Sequence, residues 1–307
     1  MTAKHVAVLM GGWNSERDVS LVSGRECADA LETEGYRVTR IDVGRDIAQV
    51  LDGLPERPDV IFNALHGRYG EDGCIQGLLE IMGLPYTHSG PMASALAMNK
   101  DAAKHLFSGV GIRCPQGEIA HRDQAGQPSP VERPFVVKPN SEGSSVGVRI
   151  VGKNDNDDRL IEEDFQYGDD VLVETYIAGR ELSIGVMGGR PLAVTEIHTP
   201  DGFYDYSNKY TEGGSQHVIP APIDAGIYEE AQQMALRAHD ALGCRGVTRA
   251  DFRYDDTQGE PGLLYMLEIN TQPGMTPMSL VPEQAAHVGY PFGKLVAWMV
   301  EEARCDA

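Results

Sequence analysis

Short apolar runs alternate with a helical periodicity along the first part of the chain. The run HVAVLM predicts a strand, residues 16–35 have helical spacing that ends at a glycine, and YRVTRID and DVIFNAL predict two further strands. A β–α–β series of this kind predicts a parallel sheet, with ligand-facing loops at the carboxyl ends of its strands. The loops GGWNSE and HGRYGEDG lie at two such ends.

The rest of the chain predicts helices and antiparallel strands. Residues 91–109 are rich in alanine and predict a helix, and residues 115–134 are rich in Pro, Gly and Gln, which indicates a subdomain boundary. The segments RPFVVKP, VRIV, VLVETYI and ELSIGVM then predict strands in an antiparallel pattern. A long polar loop, a helix over residues 228–242, the strands VTRADFRY and GLLYMLEIN, and C-terminal helices complete the prediction.

The charge balance restricts the partners. The chain has 26 basic and 46 acidic side chains, a formal net charge of −20, which repels polyanions and excludes nucleic acid as the main partner. An acidic protein that binds phosphate must use a few local Lys or Arg residues and a divalent metal. No apolar run approaches the roughly 18 residues of a membrane span, which predicts no membrane partner. Five scattered cysteines without a C-x-x-C pair predict reduced thiols in the cytoplasm.

Candidate metal ligands lie on two of the predicted strands. Asp251 is in TRADF, and Glu268 and Asn270 are in LEIN, where a spacing of two places both side chains on one face. Mg²⁺ prefers oxygen ligands, commonly two carboxylates together with substrate phosphates. An isolated E-x-N is more typical of a solvated strand face. The Gly-Pro loop TQPGMTP that follows favours a metal site, because its backbone N–H groups can face an anion.

A second candidate is the segment KPNSEGSSVG, which begins at Lys138. It supplies one point charge and many N–H and O–H donors for phosphates, although a plain surface turn fits its composition equally well. The nearby GVRIVGK is not a Walker A loop, because Asn154 replaces the metal-binding Ser or Thr and VRIV is strand-like. The fingerprint G-x-G-x-x-G is absent after the first strand, so ordinary P-loop and dinucleotide-binding chemistry are not indicated.

Further charged residues flank these elements. Lys100 and Lys209 are candidates for phosphate contacts, although a single lysine is more often a solvated surface residue. Arg249 lies two residues before Asp251 on the same strand face, where its guanidinium can stabilise a developing oxyanion. Glu16, in GGWNSE, either stabilises a helix N-terminus or binds a substrate ammonium.

His66, in LHGRYGEDG, either orients a substrate or is a buried, hydrogen-bonded histidine, which is the more usual outcome. Neither a Ser-His-Asp nor an H-E-x-x-H pattern appears, which gives a hydrolase little support.

Seven motifs occur in the order GGWNSERDVSL, ALHGRYGEDGCIQGLLEIMGLPYTHSG, MASALAMNK, VVKPNSEGSSVG, FYDYSNKY, TRADF and LEINTQPGMTPMSLVP. Together they resemble the D-alanine–D-alanine ligases of the ATP-grasp superfamily over residues 6–298. The resemblance implies an ATP-grasp fold of α/β and α+β class with an N-terminal parallel-sheet domain, residues 1–90. It also implies a central subdomain, residues 91–180, and a C-terminal subdomain, residues 181–307, with ATP between these two. A homodimer is implied as well.

The resemblance also implies individual roles. Glu16 would bind the ammonium of the first D-alanine with His66 close by, and would form a hydrogen-bonded network with Ser144 and Tyr210. The implied ATP contacts are Lys100, Lys138, Glu174, Tyr176, Ile177, Glu181, Phe203 and Lys209. The implied ligands of two Mg²⁺ ions, which Mn²⁺ can replace, are Asp251, Glu268 and Asn270. The implied oxyanion hole and the carboxylate site of the second D-alanine comprise Arg249, Gly274, Ser279 and Leu280.

The family activity is ATP-dependent ligation through an acyl phosphate, for peptidoglycan precursors. Tyr210 favours an amine acceptor, because Phe at this position is associated with D-lactate in the family. A ligase for D-lactate or D-serine, or an inactive ATP-binding regulatory protein, are the alternatives, and the intact catalytic set argues against the last. The sequence departs from the family at three positions. Tyr176 stands where a Trp is frequent, Thr175 stands where a Lys is common, and Gln272 stands where a Ser is common.

Overall fold

The computed structural model describes residues 3–46, 54, 56–121, 129–143, 147–155, 168–199 and 214–306. The helices within these ranges are α1 (Arg17–Thr33), α2 (Cys74–Met82), α3 (Pro91–Met98), α4 (Lys100–Gly109), α5 (Ala225–Ala241), α6 (Leu280–His287) and α7 (Phe292–Glu301). The strands are β1 (His5–Gly11), β2 (Arg37–Val43), β3 (Val60–Asn63), β4 (Gly117–His121), β5 (Phe135–Pro139), β6 (Arg149–Val151), β7 (Asp170–Thr175), β8 (Arg180–Met187), β9 (Arg190–His198), β10 (Gln216–Val218), β11 (Val247–Asp255) and β12 (Leu263–Asn270).

The first sheet is parallel, as predicted, with strand order β2-β1-β3. Every residue of β1 is buried, because successive side chains alternate between two covered faces. Val6 and Val8 pack in one cluster with Leu31 of α1, whereas Leu9 packs in another with Leu79 of α2. The continuous apolar run in the sequence is therefore the mark of a strand covered on both sides.

Two antiparallel sheets complete the fold. One has the order β4-β7-β5-β6 and the other the order β10-β9-β8-β11-β12. The segments VLVETYI and ELSIGVM contain β7 and β8, and both are antiparallel strands as predicted, but they lie in different sheets. At Gly179, between them, φ is +92° and a Cβ would overlap the carbonyl oxygen of Tyr254. The chain passes from one sheet to the other through this close backbone approach.

Some elements were not predicted from the sequence. Strand β4 lies within the segment interpreted as punctuation, and β9 and β10 follow ELSIGVM without having been identified. The helix predicted over residues 91–109 is two helices. Asn99 separates them, because its backbone is extended and its side chain accepts a hydrogen bond from the Ala102 amide at 3.0 Å, which caps α4.

A large apolar core joins the five-stranded sheet to the helices beside it. It contains Phe107 of α4 and Met234 of α5 together with Ile184, Phe252 and Met266 of the sheet, all almost fully buried. Helix α4 is thereby fixed against this sheet along one side, which positions its N-terminal lysines. No helix in the described ranges combines the length and apolarity that a membrane crossing requires.

Candidate functional site

The three predicted metal ligands meet on neighbouring strands. In the register of β11 and β12, Asp251 lies opposite Glu268 and Arg249 lies opposite Asn270. Residues directly opposite each other in an antiparallel pair project from the same face of the sheet. The structure therefore brings together two carboxylates, an amide oxygen and the guanidinium predicted for the oxyanion hole.

The carboxylates at this place have cationic neighbours. The guanidinium of Arg249 donates to Asp251 from Nη2 at 2.7 Å and from Nε at 2.9 Å, and Ser183 Oγ donates to Asp251 at 2.7 Å. The Lys100 ammonium lies 3.3 Å from Glu268 Oε2. Because Asp251 and Glu268 remain partly exposed, at 14% and 28% of their side-chain area, both can be reached by a ligand.

This donor set fits a hard divalent cation. Carboxylate and amide oxygens are the protein ligands that Mg²⁺ prefers, with phosphate and water completing its coordination. Within the ranges that the structure describes, no group of three or more His, Cys, Asp or Glu residues is arranged to hold a metal. A cation at this site would accordingly need the Asn270 oxygen and oxygens from a substrate in addition to the two carboxylates.

Lys100 lies beside this carboxylate pair at the start of α4. Lys100 donates from Nζ to the Glu142 carbonyl at 2.5 Å, at the start of the Gly-Ser segment. The Asn140 side chain accepts from the Asp101 amide at 3.0 Å, and its carbonyl accepts from the Lys100 amide at 3.0 Å. The segment after β5 is thereby held at the N-terminus of α4. Of the predicted site residues, Ser144, Phe203, Lys209 and Tyr210 lie outside the described residues.

Four of the residues predicted to contact adenine and ribose lie at the junction of β7 and β8, namely Glu174, Tyr176, Ile177 and Glu181. Glu174 is buried, and the Lys138 ammonium lies 2.5 Å from its Oε1. The Tyr176 amide donates to the Pro134 carbonyl at 3.1 Å. Arg253 donates to the Ile177 carbonyl at 3.1 Å and lies 3.4 Å from Glu181. This junction therefore connects the two antiparallel sheets around the buried Glu174.

Glu16 and His66 are held next to each other by two loops of the first sheet. The Asn14 side chain donates to the His66 carbonyl at 2.7 Å and accepts from the Glu16 amide at 2.9 Å. Glu16 is buried directly before α1, and its side chain makes no helix-capping hydrogen bond. Both interpretations of Glu16, the helix N-terminus and the substrate ammonium, are compatible with this position. Burial lowers the pKa of His66, against the opposing effect of the Glu16 charge, so the imidazole is neutral at pH 7.

A second buried acid lies beside Glu16 and was not identified from the sequence. Glu71 accepts from the Gly67 amide at 3.0 Å, and its Oε2 has no hydrogen-bond partner within the described part of the chain. A Cβ placed on Gly143 would lie 3.3 Å from Glu16 and 3.4 Å from Glu71, so the Gly-Ser segment approaches both acids. The acidic loop GEDG was the available signal, but the burial of Glu71 depends on tertiary packing.

The loop after β12 contacts the first sheet. Gln272 accepts from Asn63 Nδ2 at 2.8 Å and donates to the Leu65 carbonyl. A Cβ on Gly274 would lie 3.3 Å from Ser279 Oγ, which accepts a hydrogen bond from the Thr276 amide at 3.1 Å. Leu280 begins α6 immediately afterwards, so this loop presents a helix N-terminus, which attracts anions.

A cavity of about 230 Å³ lies at the carboxyl ends of the parallel strands. Its lining includes Asn14, Val43 and His66, and the rings of Trp13 and Tyr69, which also line it, stack with centroids 5.2 Å apart. The loops predicted to face a ligand therefore surround a cavity that His66 helps to line.

Ala at position 67 is expected to disturb this arrangement. Gly67 has φ of +66°, and a Cβ would overlap Glu16 Oε2. Gly67→Ala should cost about 1–3 kcal/mol of stability through backbone strain and should also displace the Glu16 carboxylate. Gly243→Ala is the matched control, because Gly243 has φ of +68° with nothing within 4 Å of its Cβ position. Urea unfolding should show both losses, whereas substrate-dependent ADP release should fall only for Gly67→Ala; equal activities would contradict the close contact.

Glu71 is expected to make stability depend on pH. Burial, and then the Glu16 charge, raises the pKa of Glu71 well above its usual value. As the pH rises from the ordinary glutamate pKa to this raised value, the unfolded chain releases the proton that the folded protein keeps. The free energy of unfolding therefore falls through that window.

Glu71→Gln should remove this loss of stability. The gain in Tm of this variant over wild type should therefore be larger at pH 8 than at pH 5. Glu229→Gln, at an exposed acid of α5, should show no such difference. A Tm gain for Glu71→Gln that is independent of pH would contradict the prediction.

The architecture and the site define a class of protein. The protein has two antiparallel sheets. Lys138 pairs with the buried Glu174 in one sheet, and Lys100 pairs with Glu268 in the other. This architecture is the ATP-grasp fold. The family descriptions "D-ala D-ala ligase N-terminus" and "D-ala D-ala ligase C-terminus" match residues 47–89 and 120–301. The chain belongs to the D-alanine–D-alanine ligase family, which confirms the resemblance drawn from its motifs.

Curated relatives match over almost the whole chain. A D-alanine–D-alanine ligase of Parvibaculum lavamentivorans is 59% identical over 307 residues, covering 99% of both chains. Another, of Rhizobium meliloti, is 58% identical over 309 residues with the same coverage. Among solved structures, the D-alanine–D-alanine ligase of Bacillus anthracis complexed with ATP has a TM-score of 0.82 at 31% identity, covering 98% of this chain and 97% of that one.

Proposed function

We propose that this protein joins two D-alanine molecules into D-alanyl-D-alanine, with conversion of ATP to ADP and phosphate, to supply peptidoglycan precursors. The observation that carries the proposal is the pairing of Asp251 with Glu268, beside Asn270, Arg249 and Lys100. Membership of the ligase family and the likeness to an ATP-complexed relative support it.

Activation of a carboxylate is the first chemical requirement, because a carboxylate is a poor electrophile in water. A carboxylate oxygen of the first D-alanine attacks the γ-phosphorus of ATP in line, the bond to the β,γ-bridging oxygen breaks, and ADP leaves. Two Mg²⁺ ions, when bound by Asp251, Glu268 and Asn270, would neutralise charge on the phosphates. Lys100 and Lys138 add fixed positive charge, and Glu16 holds the substrate ammonium away from the reaction.

Amide formation follows from the resulting acyl phosphate. The neutral amine of the second D-alanine attacks the acyl carbon, and Arg249 with the Gly274 amide stabilises the tetrahedral oxyanion. The carbonyl re-forms as phosphate leaves with the electron pair of the C–O bond. The network of Glu16, Ser144 and Tyr210 takes part in removing the amine proton. The N-terminus of α6, at Ser279 and Leu280, receives the carboxylate of the second D-alanine.

The other site residues bind the nucleotide and exclude water. Glu174, the Ile177 backbone, Tyr176 and Phe203 surround adenine, and Glu181 binds the ribose. Lys209 contacts the transferred phosphoryl group, and the polar segment around it closes over the acyl phosphate, which water would otherwise hydrolyse. We further propose a homodimer in the cytoplasm with domains at 1–90, 91–180 and 181–307, and with Mn²⁺ able to replace Mg²⁺.

The decisive experiment is ADP release in the presence of ATP, Mg²⁺ and a panel of acceptors, with the product mass determined. D-Alanine should give the fastest release and a dipeptide, because Tyr210 favours an amine acceptor. Faster turnover with D-lactate or D-serine near pH 7.5 would identify the related ligase instead. Absence of ADP release with D-alanine would favour the regulatory ATP-binding protein.

A further inference from the structure

Helix α4 carries two buried lysines on one face. Lys100 and Lys104 are four residues apart, and each exposes only 8% of its surface. Like charges at this spacing destabilise a helix, and a buried ammonium without a partner is costly. Each lysine therefore needs an acidic partner. Lys100 has Glu268 at 3.3 Å, whereas Lys104 forms an ion pair with Glu174 on β7.

The two oxygens of Glu174 have different partners. The Lys138 ammonium lies 2.5 Å from Oε1, and the Lys104 ammonium contacts Oε2. The three side chains are almost fully buried, so one carboxylate is shared by two cations in a largely desolvated site. Burial opposes ionisation of Glu174, but Lys138 and Lys104 outweigh it and lower its pKa. Glu174 is thus a carboxylate at neutral pH.

The two lysines differ in what else they can contact. Lys138 is the last residue but one of β5, close to the Gly-Ser segment, and is one of the residues assigned to the phosphates. Lys104 lies one helical turn further from the N-terminus of α4, where its neighbours include the Cys114 thiol, whose pKa burial raises to about 11. A neutral thiol offers Lys104 no second counterion, so Glu174 is its acidic partner in the described structure.

We propose that Lys104 is a positioning residue for base selection: it retains one oxygen of Glu174 while the other passes from Lys138 to the exocyclic amine of adenine when the nucleotide binds. This inference rests on the proposed function, which places Glu174 at the base and Lys138 at the phosphates. Lys138 can leave Glu174 for the phosphates only if a second cation keeps the buried carboxylate compensated. Lys104 supplies that charge.

The consequence is a preference for adenine over guanine. An ionised carboxylate only accepts hydrogen bonds, so it suits the amine at C6 of adenine and repels the carbonyl oxygen at C6 of guanine. Without Lys104, Glu174 must either take a proton or retain Lys138. A protonated carboxyl can donate to the carbonyl oxygen at C6 of guanine, and a Lys138 ammonium retained on Oε1 can donate to the same oxygen; both outcomes reduce discrimination between the two bases.

The test is direct binding of ADP and GDP, each with Mg²⁺ and without D-alanine, measured by calorimetry. Lys104→Met keeps the length of the side chain and removes its charge. It should lower the ratio of ADP to GDP affinity at least about 10-fold, the size expected for loss of one charge-assisted hydrogen bond. Lys104→Arg should keep this ratio within about 3-fold of wild type, because the cation remains. Lys153→Met, the same change at an exposed lysine, should leave it unchanged.

A merely structural ion pair predicts a different result. It would weaken ADP and GDP binding equally in Lys104→Met, leaving the ratio unchanged, and that outcome would overturn the proposal. If Lys104→Met does not fold, Lys104→Gln is measured instead, because its amide can still donate a hydrogen bond to Glu174 but carries no charge. Its ADP to GDP ratio should also fall, and an unchanged ratio would overturn the proposal.

These measurements are independent of ligation. Wild-type protein that selects ADP over GDP through Lys104 but releases no ADP with D-alanine would refute the ligase proposal and support the role of Lys104. An active ligase whose base preference is unchanged in Lys104→Met would support the ligase proposal and refute the role of Lys104.

Discussion

Replacing Glu268 by glutamine is expected to lower D-alanine-dependent turnover by about 1000-fold or more, the size of several kcal/mol of lost charge stabilisation. Glu268 lies opposite Asp251 and 3.3 Å from Lys100, at the point where the two carboxylates meet. Glutamine keeps the shape of the side chain but removes the negative charge that a divalent cation requires. ADP release at saturating ATP and Mg²⁺ measures the loss.

The fold should survive this change. Glu268 keeps 28% of its side chain exposed near the end of β12, and Lys100 retains its hydrogen bond to the Glu142 carbonyl. Far-ultraviolet circular dichroism should therefore match wild type, and Tm should fall only modestly through the weakened pair with Lys100. Glu229→Gln, on the exposed face of α5, controls for the loss of one negative charge and should retain full activity. A Glu268→Gln variant with substantial turnover would disprove the metal assignment.

Arg249→Ala is expected to reduce kcat by about 100- to 1000-fold, the range found when one oxyanion donor is removed. ADP affinity measured without D-alanine should change by less than about 3-fold, because this interaction is made only as the reaction proceeds. The physical basis is that Arg249 projects from the same strand face as Asp251 and is held by it at 2.7 Å. The guanidinium is therefore oriented beside Asp251 before substrate binds.

Two further variants separate this role from support of Asp251. Arg249→Lys keeps the charge next to Asp251 but lacks the planar fork, so it should keep ADP affinity near wild type and recover only part of kcat. Arg237→Ala, at an exposed arginine of α5, should leave both unchanged. If Arg249→Ala weakens ADP binding strongly while kcat remains near wild type, the oxyanion assignment is wrong.

The order of apolar and polar residues predicted those strands and helices whose pattern can be recognised within the segment itself. The fully apolar run of β1 and the helical spacing of α1 are visible without knowledge of any neighbour, and both are confirmed. The separation of β7 from β8 into different sheets was not predictable in this way. It depends on the close approach of Gly179 to Tyr254, which lie far apart in the sequence.

The candidate site likewise has residues that the sequence identified and residues that only the structure identified. The placement of Glu268 and Asn270 on one strand face follows from a spacing of two, and the family motifs supplied the remaining assignments. Glu71 and Lys104 were not identified, because an acid in a polar loop and a lysine on a helix are ordinary surface residues until the structure buries them. Their burial against Glu16 and Glu174 is what singles them out.

The amino-acid sequence by itself therefore determined the family, the parallel first sheet and which side chains share a strand face, because these depend on residue order and short spacings. Only the tertiary structure decided that Asp251 faces Glu268 across two strands and that two lysines share Glu174. Strand register and buried ion pairs join residues distant in the chain, and their energies depend on desolvation that no local pattern records.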